Sequence, residues 1–332
     1  MPGHLPIGIA AGLIAAVALV SASTGPLPVR ALLFVLTPLS LFLAGLGWGW
    51  ATALIGAIAG TIALGVVATP ATGMVFALSH ALPVVVLSYL ALLNRPAQDF
   101  GPDVDPATAT EWYPLGRIVV WTAAISGALA LAAMLMLAPD IDALRALVRK
   151  LIDEVVKTQI EAISPGKTLS EADLTQLTEA GVYLLPAMTA LWWMLTLLVN
   201  LWLAARITHA SGHLPRPWPD IAAMRFPRGT PLVLAVSTAA TFLPGYVALG
   251  ASAISGAFYM AYVMMGLAVI HYVTRGQSWR PIALWGLYAA LFIINAGVSV
   301  VVAILGLADS FISIRKHNSQ PPPPGGPPGP GS

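Results

Sequence analysis

Hydrophobic positions in this chain form long unbroken stretches, and the charged positions are confined to short gaps between them. The first 94 residues carry one formal charge, Arg30. Four later stretches carry none: Ile118–Pro139, Ala180–Ala205, Gly229–Thr274 and Pro281–Ala308. A helix needs about 20 residues to cross the ~30 Å hydrocarbon core of a bilayer, and each stretch is at least that long. A soluble helix would keep charge along one face, so the pattern predicts membrane-spanning helices.

These stretches divide into about nine candidate spans. Backbone groups in lipid must be hydrogen-bonded internally, and the ten-residue alternation of a membrane barrel is absent, so helices are predicted. The predicted fold is an all-α polytopic transmembrane bundle of about eight or nine spans with one amphipathic extramembrane helical insertion. The predicted spans are Leu5–Ser23, Val29–Leu46, Trp48–Thr69, Ala71–Leu93, Pro114–Ala138, Ala180–Ala205, Pro231–Leu249, Ala253–Val273 and Pro281–Leu307.

The largest polar gap, Asp140–Glu179, is predicted to be the extramembrane insertion. Apolar residues recur at helical spacing through Asp140–Ile163, which indicates an amphipathic helix that ends at Ser164–Pro165–Gly166. A capping-box variant, Ser170-x-x-Asp173, then opens a second helix that leads into the sixth span.

Composition favours one membrane domain, 1–318, followed by a disordered Pro/Gly-rich tail, 319–332. Apolar residues make up 58% of the chain and charged residues 9%, whereas soluble domains carry roughly 25% charged residues. The net charge of +2 is too small to suggest a nucleic-acid partner. The chain has no cysteine, which excludes disulfides, thiolate metal sites and thiol nucleophiles.

The distribution of Lys and Arg predicts which loops are cytoplasmic. The gap after the sixth span is basic, as is the gap after the eighth, so both are predicted to be cytoplasmic. The insertion, with eight acids and five bases, then faces outward and the N-terminus inward. Alternation of nine spans puts the C-terminus outside, whereas the basic pair Arg315–Lys316 favours the inside, and the sequence leaves both open. The cytoplasmic basic loop contains Arg206, Arg216, Arg225 and Arg228.

Polar side chains inside a span mark candidate sites, because hydrocarbon does not solvate them. Four stand out: His80, Asn200, His271 and Asn295. One interpretation is a ligand-binding pocket between helices. The other is hydrogen bonding from helix to helix, which small polar residues provide in most membrane bundles.

The sequence predicts neither an enzyme nor a bound cofactor. No predicted span contains an acid in its interior, and no nucleophile–base pair is visible, so transport through a buried carboxylate is not expected either. His209 and His213 have the spacing of metal ligands on one helix face. Gly212 and Pro215 break that helix, however, and no third ligand is adjacent, so no metal site is predicted.

Small residues recur at four-residue spacing along the first span, where they would let another helix approach closely. They are either a docking face for a partner membrane subunit or ordinary packing within the bundle. These residues are Gly8, Ala11, Gly12, Ala15 and Ala16.

The order of several motifs resembles the bacterial membrane proteins grouped as domain-of-unknown-function 2232 (YybS-like). The resemblance covers about residues 5–317, and its first half is similar to the substrate-capture subunits of energy-coupling-factor transporters. Those subunits are six-helix bundles that bind a small vitamin or metal from outside and dock on a transmembrane coupling protein. The resemblance implies such a capture role here, although this chain has about three more spans. The motifs are Pro38–Leu39, the glycine-rich Gly45–Gly60, Asn200 followed by Arg206, Arg225–Phe226–Pro227, Gly306–Leu307–Ala308–Asp309 and Arg315–Lys316.

Together these features predict a non-enzymatic, multi-pass protein of the bacterial inner membrane. Its expected role is transporter-subunit-like binding of a small ligand, with the lipid bilayer and other membrane subunits as partners. The alternative is a structural or assembly protein of the cell envelope that docks partners through the insertion 140–179.

Overall fold

A computed structural model of the chain describes residues 3–97, 110–155, 170–293, 296–312 and 314–317. Most of the described residues are helical and very few form strands, so the predicted all-α membrane bundle is confirmed. Internal contacts divide the chain into two compact units. The first unit is Met1–Pro219 with Gly229–Ala261, and the second is Asp220–Arg228 with Tyr262–Ser332. The predicted disordered tail, 319–332, lies outside the described residues.

The helices of the first unit follow the apolar stretches closely. Two antiparallel strands, β1 (Asn94–Pro96) and β2 (Thr110–Trp112), form a short polar hairpin after α6. The helices are α1 (His4–Ser21), α2 (Leu27–Leu36), α3 (Leu39–Trp48), α4 (Trp50–Val67), α5 (Pro70–Phe76), a π-helical turn (Ala77–Ala81), α6 (Leu82–Leu92), α7 (Leu115–Leu137), α8 (Ile141–Val155), α9 (Glu171–Ala210) and α10 (Thr230–Ala240).

The remaining helices carry the chain into the second unit. Helix α11 (Tyr246–Val273) belongs to the first unit up to Ala261 and to the second from Tyr262. The second unit also contains a 3₁₀ turn (Ile221–Ala223), α12 (Arg280–Ile293), α13 (Ala296–Ile312) and α14 (Ile314–His317).

Seven helical segments within the described ranges are long and apolar enough to cross a membrane. They are α1, α2 with α3, α4, α5 through α6, α7, α9 and α11, and each coincides with a predicted span. Three shorter apolar helices cover the two remaining predicted spans. Helix α10 lies in the seventh predicted span, and α12 and α13 lie in the ninth.

The predicted boundary between the seventh and eighth spans is wrong. It was placed between Leu249 and Ala253, but α11 runs through that position without interruption. The chain breaks instead at 241–245, where Pro244 has no N–H to donate and Gly245 adopts a left-handed φ of 72°. The ninth predicted span likewise forms two helices, α12 and α13.

Contacts within the first unit place its loops at two opposite ends. His4 Nδ1 lies 3.1 Å from Thr52 Oγ1, and the rings of Trp48 and His213 lie 5.0 Å apart. The start of α1, the turn between α3 and α4, and the loop after α9 therefore share one end, as span alternation predicts. The end of α7, helix α8 and the start of α9 form the other end.

The predicted amphipathic insertion is present as α8, and it packs on the extended start of α9. At 1.5 Å per residue, the 40 residues of α9 reach about 60 Å, roughly twice the hydrocarbon thickness. Leu144 and Val148 of α8 are buried against Val182 of α9. Ser170 caps α9 as predicted, since its hydroxyl accepts from the backbone N–H of Asp173 at 3.2 Å. The predicted continuation of α8 beyond Val155 lies outside the described residues.

Glycine allows α1 and α4 to cross at backbone contact. A Cβ added at Gly8 would lie 2.7 Å from the carbonyl oxygen of Thr52, and one added at Gly12 would overlap the carbonyl of Gly56. Dispersion at such close approach is the main attraction between helices in lipid, because apolar burial gains nothing there.

Replacing Gly12 with Ala should therefore destabilise the bundle, because the added methyl forces the two backbones apart at a cost of about 1–3 kcal/mol. The measurement is the midpoint of thermal unfolding of the purified protein in detergent. Gly65→Ala in α4 is the matched control, since its added Cβ would meet nothing closer than Pro70 Cα at 3.9 Å. Equal midpoints for the two variants would contradict the close-packing account.

Candidate functional site

Helix α5 does not continue regularly into α6, and the irregularity positions His80. Pro83 has no backbone N–H, so the regular hydrogen-bond ladder cannot pass through it. The chain adopts a π-helical turn over Ala77–Ala81 directly before this proline. Such turns are rare and frequently occur at functional sites. The turn lies near the middle of the Pro70–Leu92 span.

The imidazole of His80 is enclosed by aromatic rings and is 2% exposed. Trp193 lies edge-on at a ring-centroid distance of 5.0 Å, Phe34 at 5.4 Å, and Phe76 stacks at 5.9 Å. Nδ1 lies 2.7 Å from the hydroxyl of Ser79, while Nε2 is buried and has no hydrogen-bond partner within the described residues.

The second polar side chain, Asn200, forms a hydrogen bond with the backbone beside another proline break. Helix α2 ends at Leu36 and α3 begins at Leu39, with Pro38 between them. A proline releases carbonyls of the preceding turn from helical bonding. The amide nitrogen of Asn200 donates to the released carbonyl of Val35 at 2.7 Å and to Thr196 at 2.8 Å. Its Oδ1 is buried without a partner among the described residues.

These two predicted site residues are linked through the same two helices, α2 and α9. His80 contacts Phe34 on α2 and Trp193 on α9, while Asn200 lies two turns farther along α9 and bonds to Val35. Both therefore lie against the broken middle of the α2–α3 span. We call His80, Asn200, Phe34, Phe76 and Trp193 the midspan cluster.

A third predicted pocket residue, His271, is not part of this cluster. His271 belongs to the second unit, where its Nε2 lies 2.8 Å from the hydroxyl of Tyr288 on α12. Its Nδ1 lies 3.5 Å from Nη2 of Arg280. This pattern matches the interhelical hydrogen-bonding alternative. Asn295 lies outside the described residues.

A separate open groove of 360 Å³ lies between α9, α10 and α11 in the first unit. Met188, Leu191 and Leu234 line it, and its lining includes none of the predicted pocket residues. Thr238 and Ser255 bond to each other there at 2.9 Å. An uncharged lining of this kind suits hydrocarbon contact.

The small residues of the first span, for which partner docking and packing within the bundle were both open, lie inside the bundle. All five, from Gly8 to Ala16, are buried in α1. The hydroxyl of Ser40 in α3 also donates to the carbonyl of Ala11 at 2.8 Å. The face is therefore covered by the chain's own α3 and α4, which is the packing alternative.

The basic loop divides between the units. In the first, the Arg206 guanidinium lies 5.1 Å from the ring centroid of Trp218. Arg216 donates to the carbonyl of Ala91 at 3.2 Å, and burial lowers the pKa of its guanidinium. In the second, Arg225 and Arg228 are exposed.

Asp220 pairs with Arg275 in the second unit, through one hydrogen bond of 2.8 Å and a second, shorter one. This pairing lowers the pKa of the Asp220 carboxyl, because the guanidinium stabilises the charged form. The pair attaches the loop before α10 to the turn after α11.

Sequence reasoning missed a buried ion pair between Asp309 and Arg315. The prediction that no acid lies inside a span assumed a ninth span ending at Leu307, but α13 continues to Ile312 and buries Asp309. The Arg315 guanidinium donates to Asp309 Oδ2 at 2.6 Å, and both side chains are at most 2% exposed. The same group donates to the carbonyls of Ala222 at 2.8 Å and Met224 at 2.7 Å.

The signal for this pair was present in the two motifs that close the chain. An acid and a base six residues apart flank the end of an apolar run, where a helix end can fold back on itself. Nothing in the sequence, however, indicates that the base also reaches the 3₁₀ turn.

Comparison with known proteins identifies the family. The model of a family described as predicted membrane protein (DUF2232) matches residues 13–310. The chain therefore belongs to this family, as the motif order predicts. No curated protein and no solved structure gives a significant match. The similarity to energy-coupling-factor capture subunits stays a prediction.

Removing one partner of the buried pair should destabilise the second unit, because a buried charge is left uncompensated. Arg315→Met is expected to cost about 3–5 kcal/mol, measured by thermal unfolding in detergent. Arg275→Met is the matched control: it breaks the half-exposed pair with Asp220, and a pair so exposed contributes about 0–1 kcal/mol. The account fails if the two substitutions lower the midpoint equally.

Proposed function

We propose that this member of the DUF2232 family is a non-enzymatic protein of the bacterial inner membrane that binds a small molecule at the midspan cluster. Five buried side-chain atoms of the described residues have no hydrogen-bond partner, and the observation that carries the proposal is that two of them, Nε2 of His80 and Oδ1 of Asn200, lie at this cluster. Buried polar atoms are normally hydrogen-bonded, and each exception calls for an explanation. A bound molecule that fills both positions explains the two exceptions together.

The placement of the cluster supports the same role. Transport and binding sites in membrane proteins commonly lie near the bilayer midplane, where helices are interrupted. Here two neighbouring spans are interrupted near their middle, at Pro38 and at the π-helical turn before Pro83. Interrupted helices also bend more readily than continuous ones, which gives a buried cluster a route for opening.

The protein would act as a transporter subunit if it transfers the bound molecule to partner subunits in the membrane. Orientation by basic loops places Arg206 and Arg216 on the cytoplasmic side. The insertion α8 and the start of α9 then lie outside, at the end from which a capture subunit takes its ligand.

The alternative is an envelope assembly protein that docks partners through the insertion. The packing of α8 favours ligand binding over this alternative. Leu144 and Val148 are already buried against α9, and Arg149 pairs with Glu171 at 2.9 Å. A partner would therefore find only part of the apolar side of α8 free, at Leu151.

The test is retention of native small molecules by the purified full chain. Mass spectrometry of the protein extracted in mild detergent is expected to detect a molecule that co-purifies with the unmodified chain. His80→Phe keeps a ring in the aromatic enclosure but removes both nitrogens, and should reduce retention at least tenfold.

His209→Phe is the matched control, because His209 is exposed and its ring contacts Trp218 outside the cluster. It should retain the molecule fully. Equal retention by a folded His80→Phe variant would show that binding, if any, does not use the cluster.

A further inference from the structure

Existing hydrogen bonds at the midspan cluster determine whether its two unpartnered atoms can donate or accept a further hydrogen bond. The hydroxyl of Ser79 donates its single proton to the carbonyl of Val75 at 2.6 Å. It can therefore only accept from the neighbouring Nδ1 of His80, at 2.7 Å. A neutral imidazole carries one N–H, so with that proton on Nδ1 the Nε2 atom is a lone-pair acceptor.

Asn200 leaves an acceptor in the same way. Its amide nitrogen has two N–H groups, and these donate to the carbonyls of Val35 and Thr196. The remaining atom, Oδ1, can only accept. Both unpartnered atoms of the cluster therefore require a hydrogen-bond donor.

The surroundings of the two acceptors exclude a charged partner. The rings that contact His80 belong to Phe34, Phe76 and Trp193, and the described partners of Asn200 are backbone carbonyls. An anion would face lone pairs. The described contacts of His80 and Asn200 include no carboxylate that could compensate a cation for its loss of hydration. An isolated charge in such a medium is strongly disfavoured.

Resting on the proposed function, we infer that the ligand is an uncharged molecule with a flat apolar body and N–H or O–H donors. One donor bonds to Nε2 of His80, with the body against the aromatic rings. A second donor bonds to Oδ1 of Asn200, whose position on α9 lies about 10 Å beyond that of Trp193. The class includes neutral heterocycles and amides and excludes carboxylates, phosphates and ammonium compounds.

Four probes with one ring system test the class: indole, 1-methylindole, tryptamine and indole-3-acetate. Indole is neutral and has a donor, 1-methylindole lacks the donor, and the last two add a positive and a negative charge. Binding to the purified full chain in detergent is measured from the rise in thermal midpoint with probe concentration. Indole should bind about tenfold more tightly than 1-methylindole, which is the effect expected of one hydrogen bond.

Variants of His80 show whether this discrimination arises at the cluster. His80→Phe should bind indole and 1-methylindole equally, while His80→Gln, whose amide oxygen can replace Nε2 as acceptor, should restore a preference for indole. His209→Phe should behave like the unmodified chain.

Different failures identify which claim is wrong. If tryptamine or indole-3-acetate binds more tightly than indole, and does so only with His80 present, the ligand class is overturned but the binding site stands. If indole and 1-methylindole bind equally to the unmodified chain, the inferred donor requirement is overturned. If, in addition, His80→Phe retains the native molecule, the proposed function falls as well.

Discussion

A carbonyl released inside a bilayer has no water to bond, so a proline break there needs another donor, from a neighbouring helix or a nearby hydroxyl, or a changed backbone turn. At Pro38 the donor is the amide of Asn200, which reaches from α9 to the carbonyl of Val35. The hydroxyl of Thr37 bonds to the carbonyl of Leu33 at 2.9 Å in the same turn. This requirement fixes how α9 faces α2, and therefore which side chains meet at the middle of the first unit.

The need for a hydrogen-bond partner also distinguishes two kinds of buried polar group: those that are bonded within the protein and those that can still bond to a ligand. The Arg315 guanidinium in the second unit is satisfied by a carboxylate and two carbonyls, so it stabilises the fold and leaves nothing for a ligand. In the midspan cluster, by contrast, the N–H groups of Asn200 are used, while Nε2 of His80 and Oδ1 of Asn200 have no partner among the described residues. The proposed binding site lies there because the chain's own hydrogen bonding is incomplete at those atoms.

Local chemistry made much of this fold predictable. Uncharged stretches identified the membrane helices, Ser170 predicted the start of α9, and the spacing of apolar residues predicted α8. The sequence also singled out His80 and Asn200, because polar residues are rare in hydrocarbon. It did not show that α2 and α9 link the two residues, which depends on how distant helices pack. For the same reason the sequence did not decide whether Gly8 and Gly12 dock a partner subunit or pack within the bundle. Their contact with α4 shows that they pack within the bundle. The burial of Asp309 near the end of α13 accompanies its ion pair with Arg315, and periodicity does not encode that pair.

A double-mutant cycle between Pro38 and Asn200 measures the central interaction most directly. Asn200→Leu should lower the free energy of unfolding in detergent by about 1–3 kcal/mol, because the carbonyl of Val35 loses its donor. With Pro38→Ala also present, the backbone N–H restored at position 38 and a continuous helix can satisfy the released carbonyls. The same substitution should then cost at least about 1 kcal/mol less. Strictly additive effects of the two substitutions would contradict the account, because they would show that Asn200 does not compensate for the break at Pro38.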